Sequence, residues 1–504
     1  MKRIMRISLP LAFALLVVSE PGSAQSVQQE ITPPSAATSV DSLNEAVIVD
    51  RLVTRASFEA DGSSIRETTA VVRVQSEAGV KAMAVLVFAY TSVDQDITVD
   101  YVRVRKPNGA VVVTPSYNIQ DMPAEVTRIA PVYSDLHEKH ITVKALGVGD
   151  TLEYRVRTVT ARPQVAGQFW FTYTFARDVV SKDEELEVSV PRGTALKIST
   201  PEVQPRINDE GRRRIYTWKA ANLDSKSGDK KLRANQGAWP SVQVSTFRTW
   251  EEVGRWYGDL QKPEVAVTPA IRAKATELTA GLTGDDEKIR ALYAFVSARI
   301  HYVALSFGIG RYRPHPAEEV LDNEYGDCKD KHTLLAALLK AAGYDAWPAL
   351  INSAGTVDPD VPSPGQFDHV ITVVHAGNEL SWLDATSGAA PFGMLFGTLR
   401  DQRALVIPEG GPPRLMCTPA QPPFPSFGTM TVIAKLAGDG TLTARFERTD
   451  RSDFEMYLRA AFRSVPQTRW QELVQQISYS SSFSGVVTNV DASSPDDASS
   501  PFRF

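Results

Sequence analysis

The chain predicts a multidomain protein with an N-terminal all-β, sandwich-like domain over 46–248, a central α+β domain over 249–407 and a short β-rich C-terminal region over 428–504. Three observations lead there. Between 46 and 248 apolar and polar residues alternate with the period of half-buried strands, and few windows carry a helical period. From 249 apolar residues recur at helical intervals behind capping signals, then give way to strands again, the order of an α+β domain. Between 408 and 427 stand Pro408, Pro412, Pro413, Pro419, Pro422, Pro423 and Pro425, the composition of a stiff linker.

At the N-terminus, Lys2, Arg3 and Arg6 precede the apolar run Ile7 to Val18, and Gly22-Ser23-Ala24 supplies small residues for cleavage after Ala24. That is the pattern of a secretory signal peptide over 1–24, whereas a membrane anchor needs about 20 apolar residues. No later stretch is long and apolar enough to span a bilayer, so no integral span is expected after signal removal. Residues 25–45, rich in Ser, Gln, Pro and Ala, read as a disordered leader. The mature product is expected to be periplasmic or secreted.

In the first domain, Ile97–Val104 alternates and Pro107-Asn108-Gly109 turns the chain into Ala110–Val113. Leu152–Arg157 and Leu186–Val190 alternate likewise, and no constellation there has a catalytic look. In the second domain, Thr249 and Glu252 have capping-box spacing ahead of Val253, Trp256, Tyr257 and Leu260. Thr268-Pro269 offers an N-cap with proline at the first helical position. Thr283 with Asp286 repeats the capping-box spacing before Ile289, Leu292, Tyr293, Val296 and Ile300. A further helix is expected over 329–342, ended by Gly343. Strands follow at 370–374, 380–384 and 405–407. Beyond the linker, 431–436 and 441–447 flank Ala437-Gly438-Asp439-Gly440 as a hairpin, a helix is expected near 470–477, and the tail 491–504 is polar.

Composition narrows the function. With 54 Lys+Arg against 59 Asp+Glu the net charge is −5, which argues against nucleic acid as the main partner. Two cysteines cannot make a disulfide scaffold or a four-thiolate zinc site. An apolar content of 43% with 22% charged residues excludes a largely disordered chain.

The most informative segment is Tyr325-Gly326-Asp327-Cys328-Lys329-Asp330-Lys331-His332, which leads into an apolar helix. Cys328 stands where a turn becomes that helix. Unsatisfied N–H groups and the helix dipole favour a thiolate there, and the same N–H groups suit an oxyanion. A cysteine at that place is also read as a packing residue. A second piece weighs toward chemistry: Phe367-Asp368-His369 opens one strand and Leu380–Asp384 forms its neighbour. A two-residue loop centred on Ala376-Gly377 sets His369 directly opposite Asp384, and an even shift of register keeps both on one face. On one face, Asp384 can orient the imidazole and His369 can act as base for a sulfur from another element.

Three blocks, Tyr325–Lys331, Phe367–Val370 and Trp382-Leu383-Asp384-Ala385-Thr386, resemble the signature blocks of the bacterial transglutaminase-like superfamily, with its papain-like Cys-His-Asp order. The resemblance covers roughly residues 265–400. The preceding region is similar to the β-rich domain of unknown function found before such domains in exported bacterial proteins. By that resemblance Cys328 matches the nucleophile, His369 the general base and Asp384 the orienting carboxylate. The chain departs from the pattern at Ala385, where relatives often carry Pro. By the same resemblance, the C-terminal region is expected to be only part of the β-domain that usually closes such chains.

The combined expectation is an exported cysteine acyl-transfer enzyme, a protease/amidase or a transglutaminase, acting on a protein or peptide substrate, with the cell envelope as a candidate source. The alternative is a catalytically inactive binding or scaffold protein. No metal or organic cofactor is implied; Cys328, His332, His369 and Asp384 have acceptable zinc-ligand types, but nothing in their spacing requires a metal. His332 reads as a surface or packing residue, Tyr302 and Tyr325 as core aromatics, and Asp327 and Asp330 as first-turn acids. His301, His315 and His375 have no partner legible in the sequence. A Cys328–Cys417 bond would silence the nucleophile, and a free Cys417 is the simpler reading.

Overall fold

The computed structural model describes residues 45–504 except 126, 128–134, 178, 223–240, 304–311, 377–378 and 481–484. The signal peptide and nearly all of the leader lie outside the described residues. The chain divides into two compact units, one of Val40–Ser387 with Gly393–Gln421, the other including Gly388–Phe392 and Pro422–Phe504.

The first unit begins with β1 (Val47–Phe58), β2 (Ser64–Val74), a short helix α1 (Glu77–Met83), β3 (Val85–Thr91), β4 (Gln95–Arg105), β5 (Val111–Val113), β6 (Ile119–Pro123), β7 (Leu136–Thr142) and β8 (Thr151–Thr160). It continues through β9 (Trp170–Tyr173), β10 (Val180–Pro191), β11 (Lys197–Ser199), β12 (Arg206–Glu210), β13 (Arg213–Asn222) and β14 (Val242–Ser245). Eight strands form one sheet in the order β12-β13-β10-β1-β2-β8-β4-β5. Two three-stranded sheets, β3-β7-β6 and β11-β14-β9, cover it. Alternation explains the layering. On one face of the large sheet, Ala70, Val72, Val102, Val104 and Leu152 meet Leu86 and Ile141, and further along the same face Leu186, Val188, Val190 and Trp218 meet Phe169, Val242 and Val244. Phe58 and Phe169 stack with centroids 4.1 Å apart. This is the expected sandwich-like domain.

The helical part follows as α2 (Trp250–Gln261), α3 (Pro269–Thr279), α4 (Asp285–Arg299), β15 (His301–Tyr302), α5 (Ala317–Asn323), β16 (Tyr325–Gly326) and α6 (Cys328–Ala341). Thr249 and Thr268 cap α2 and α3 as their spacing predicts, each hydroxyl accepting a backbone N–H. The cap of α4 is Gly284 rather than Thr283, because the Glu287 carboxylate reaches back to the Gly284 amide at 3.3 Å. The predicted apolar face of α4 is buried. Gly343, at φ +90°, ends α6 in the left-handed region that favours glycine.

The sheet of this domain comprises β17 (Asp345–Ile351), β18 (His369–Ala376), β19 (Glu379–Leu383), β20 (Arg403–Val406) and β21 (Arg414–Cys417), ordered β19-β18-β17-β20-β21. One correction arises here, and one register left open by the sequence is settled. The stretch read as a linker from 408 holds β21, which pairs with β20 and carries Cys417 at an exposed sheet edge. Its prolines lie on either side of the Arg414–Cys417 run, so they do not interrupt its ladder hydrogen bonds. The β18–β19 register pairs Ala376 with Glu379, so Asp384 continues opposite Ile371, two residues from direct opposition to His369. The shift is even, so both still belong to one face.

In the second unit, β22 (Phe427–Leu436) and β23 (Leu442–Arg451) form the predicted hairpin and β24 (Phe502–Arg503) joins β23. This β-rich part also carries α7 (Asp453–Arg463) and α8 (Trp470–Ser480). The polar tail ends in Phe502 and Phe504, which are buried against Phe462. Among the described residues no helix is long and apolar enough to cross a membrane.

Candidate active site

Cys328 is the first residue of α6, and the start of that helix is buried from Asp327 through Leu339. Asp327 is its N-cap in extended conformation. Its Oδ1 accepts from the Lys329 and Asp330 amides at 3.1 and 3.2 Å, while Asp330 Oδ2 accepts from the Asp327 amide at 3.3 Å. This reciprocal capping box satisfies three donors. The Lys331 amide takes the Asp327 carbonyl. Among the described residues the Cys328 amide is then the one first-turn donor left without an acceptor. Gly326 is required by packing: a Cβ there would lie 2.6 Å from the Asp330 Cβ, against the helix it introduces.

Two lysines in a helix's first turn run against its dipole, and both have buried partners. The Lys329 ammonium pairs with Asp327 Oδ2. Burial alone would discharge Lys329, but Asp327, Asp330 and the Cys328 sulfur outweigh it and raise its pKa. Burial raises the Asp327 carboxyl, and the Lys329 ammonium works against that rise. Lys331 Nζ donates to the carbonyls of Ser297 and Ile300, at 3.2 and 2.7 Å, at the end of α4. Asp330 also accepts from the His315 amide at 2.8 Å and lies 3.1 Å from its Nδ1.

His369 opens β18 and Asp384 follows β19. Nε2 of His369 lies 3.1 Å from Asp384 Oδ2, which leaves Nδ1 as the ring nitrogen free for the sulfur. Asp384 Oδ1 accepts from the Thr386 amide and hydroxyl at 2.9 and 2.6 Å, and its backbone carbonyl accepts from the Tyr293 hydroxyl at 3.1 Å. Cys328, His369 and Asp384 are 1%, 7% and 3% exposed, so little water screens them. Burial works to lower the His369 pKa. The charge and hydrogen bond of Asp384, and then those of the Cys328 sulfur, override it and raise the imidazole well above its usual value. Burial would raise Asp384, but the imidazole and the Thr386 bonds bring it below the usual carboxylate range. The structure thus brings together all three residues singled out in the sequence.

Other candidates resolve differently. His332 packs away from the cysteine, its Nδ1 2.8 Å from Thr372 Oγ1 and its Nε2 3.1 Å from Gln261 Nε2. His375 stacks on Trp347 with centroids 5.5 Å apart, and His301 is exposed. Cys328 and Cys417 are both free. Tyr302 does border the site: burial and the nearby sulfur and Asp384 raise its hydroxyl. Sequence reading missed Lys329, Lys331 and the His315–Asp330 pair. The two cations at a helix start were the available signal for the first two; His315 gave none, because its partner Asp330 belongs to a separate element, α6.

Residues 60–226 match DUF3857, a domain of unknown function, and residues 272–369 match the transglutaminase-like superfamily. The chain carries a transglutaminase-like domain. The superfamily match begins in α3 and ends at His369, so it includes Cys328 and stops short of Asp384. A solved structure of a candidate protease from Parabacteroides distasonis is similar over 75% of this chain and 72% of its own, with a TM-score of 0.62 and 15% identity. A candidate cysteine protease from Cytophaga hutchinsonii aligns over 43% of this chain and 71% of its own at 14% identity, with a TM-score of 0.21. An M1 zinc metallopeptidase from Deinococcus radiodurans aligns over 40% of this chain and 42% of its own at 8% identity, with a TM-score of 0.23. The last two scores are too low to bear on the fold. No curated protein sequence matches the chain. The transglutaminase-like domain is therefore preceded by a β-rich domain and followed by a β-rich C-terminal part.

Proposed function

We propose that the chain is an exported cysteine acyl-transfer enzyme that works on protein or peptide amides through a thioester. Cys328 is the nucleophile, His369 the general base and acid, and Asp384 the orienting carboxylate. One observation carries the reading: a buried imidazole lies between a carboxylate and the sulfur of a cysteine at a helix start.

The Cys328 thiol proton passes to His369, and the sulfur attacks the amide carbon. The Cys328 amide, the uncapped donor of the helix start, suits the oxyanion that forms. As the tetrahedral species collapses, the C–N bond breaks, His369 returns its proton to the leaving amine, and a thioester remains. His369 then takes a proton from the acceptor, which attacks the thioester and regenerates the thiol. Water as acceptor gives hydrolysis; an amine gives a new amide. Hydrolysis is the favoured outcome, since water is in excess outside the cytoplasm, and the name of the Parabacteroides neighbour points the same way. Export rests on the basic, apolar and small-residue pattern of residues 1–24. It predicts a mature N-terminus at Gln25, which intact-mass measurement of the exported protein checks.

The mechanism is tested by alkylating Cys328 with iodoacetamide, a small electrophile suited to a buried thiol, with exposed Cys417 as internal reference. A sulfur paired with imidazolium is nucleophilic across the neutral range. His369→Ala is therefore expected to slow alkylation about 100-fold near pH 6.5 and hardly at all near pH 9.5, where an ordinary thiol ionises unaided. Rates unaffected by His369→Ala, or peptide amide turnover that survives Cys328→Ala, would remove the proposal.

A further inference from the structure

The N-terminal β-domain reaches the candidate site through Trp170 on β9. The indole lies edge-on to Tyr312, with centroids 5.7 Å apart at 80°, and packs on Phe247 and Trp256 at 5.9 and 5.8 Å. On its other side it presses on Gly365: a Cβ there would lie 2.7 Å from the indole Cδ1. Position 365 is therefore glycine because the ring from the other domain occupies the space a side chain would need.

Two of the segments that Trp170 touches lead toward the reacting pair. Tyr312 is three residues before His315, which holds Asp330, the carboxylate that closes the cap over Cys328. Gly365 is four residues before His369, and side-chain hydrogen bonds tie down the chain between them. The Gly365 amide donates to Ser363 Oγ at 3.1 Å. Gln366 bonds through its side chain to Asp358 and Val361, and Asp368 accepts from the Ser353 amide and hydroxyl at 2.7 and 2.9 Å. A displacement at Gly365 has no loose joint to absorb it before His369.

We propose that Trp170 is a positioning residue: the N-terminal domain seats this indole between Tyr312 and Gly365 and thereby sets how Cys328 meets His369. The inference rests on the cysteine acyl-transfer reading above. It gives the β-domain a part in the chemistry in place of a separate binding role.

The test uses the full mature protein and the iodoacetamide rate at Cys328 as a function of pH, with Cys417 as reference and His369→Ala alongside. Trp170→Ala and Gly365→Ala are each expected to lower the Cys328 rate near neutral pH about 10–100-fold, the cost of misplacing reacting groups by an ångström or less. The Cys417 rate should not change, and the loss should close toward high pH. Trp170→Phe keeps a ring against Gly365 and is expected to bring the rate back to within about threefold of wild type. Gly365→Ala leaves the core of the β-domain intact, so a wild-type profile in that variant, with His369→Ala still slow, overturns the inference even where Trp170→Ala fails to fold. If His369→Ala itself keeps the wild-type profile, the acyl-transfer reading falls and the positioning role falls with it.

Discussion

His332 lies four residues along α6 from Cys328, and burial drives its pKa down to about 3. His369 is driven the other way by Asp384 and the sulfur. Their effects on stability have opposite signs. A depressed pKa means that the unfolded chain binds the proton more readily. The His332 contribution is thus present above the unfolded value of about 6.5 and is lost as pH falls toward 3. A raised pKa, as at His369, stabilises below about 6.5 and is lost as pH rises through the folded value. For His332 alone the linkage amounts to about 2 kcal/mol between pH 7 and pH 5. Replacing it with Asn, which can keep one of its two hydrogen bonds but does not titrate, should remove that part of the acid sensitivity. Urea midpoints of wild type and His332→Asn at the two pH values check this; parallel shifts would mean that other groups govern the acid limb.

The element that matters most is the start of α6, where the capping box, a buried ion pair and the close approach at Gly326 coincide. Removing Asp327 takes away the cap and leaves Lys329 without its nearest carboxylate. A lost cap costs about 1 kcal/mol, and breaking a buried pair about 3–5 kcal/mol. Asp327→Ala is therefore expected to lower the melting temperature of the first unit far more than Asp327→Ala combined with Lys329→Met, which removes the stranded charge. Equal losses in the single and double variants would show that the ion pair contributes little beyond the cap. Sequence alone gave α6 within one residue at each end, because a turn signal, an apolar run and a glycine bracket it. It could not report that the polar half of the motif is buried.

At the scale of the whole molecule, the two compact units have separate cores, one built on the large β-sheet and the transglutaminase-like domain, the other on Phe462, Phe502 and Phe504. Scanning calorimetry is expected to resolve two transitions, and a variant with Phe502→Ala should shift only the smaller, by about 3–5 kcal/mol of lost aromatic packing. A single transition that moves as a whole would mean that the units unfold together.

Local pattern was enough for the order of domains, the helix caps at Thr249 and Thr268 and the β22–β23 hairpin. Those features depend on period, capping chemistry and spacing, all of which act over a few residues. What needed the tertiary structure was everything set by long-range pairing. Strand β17, which sequence reading passed over, lies between β18 and β20 in the sheet that carries His369. The β18–β19 register sets His369 and Asp384 two residues off direct opposition, and the prolines after 407 flank a paired strand. His315 reaches Asp330, and Trp170 crosses from one domain to the edge of another's site. The physical reason is the same in each case: a side chain's partner is chosen by which elements pack together, and that choice leaves no periodic trace in the segment that makes it.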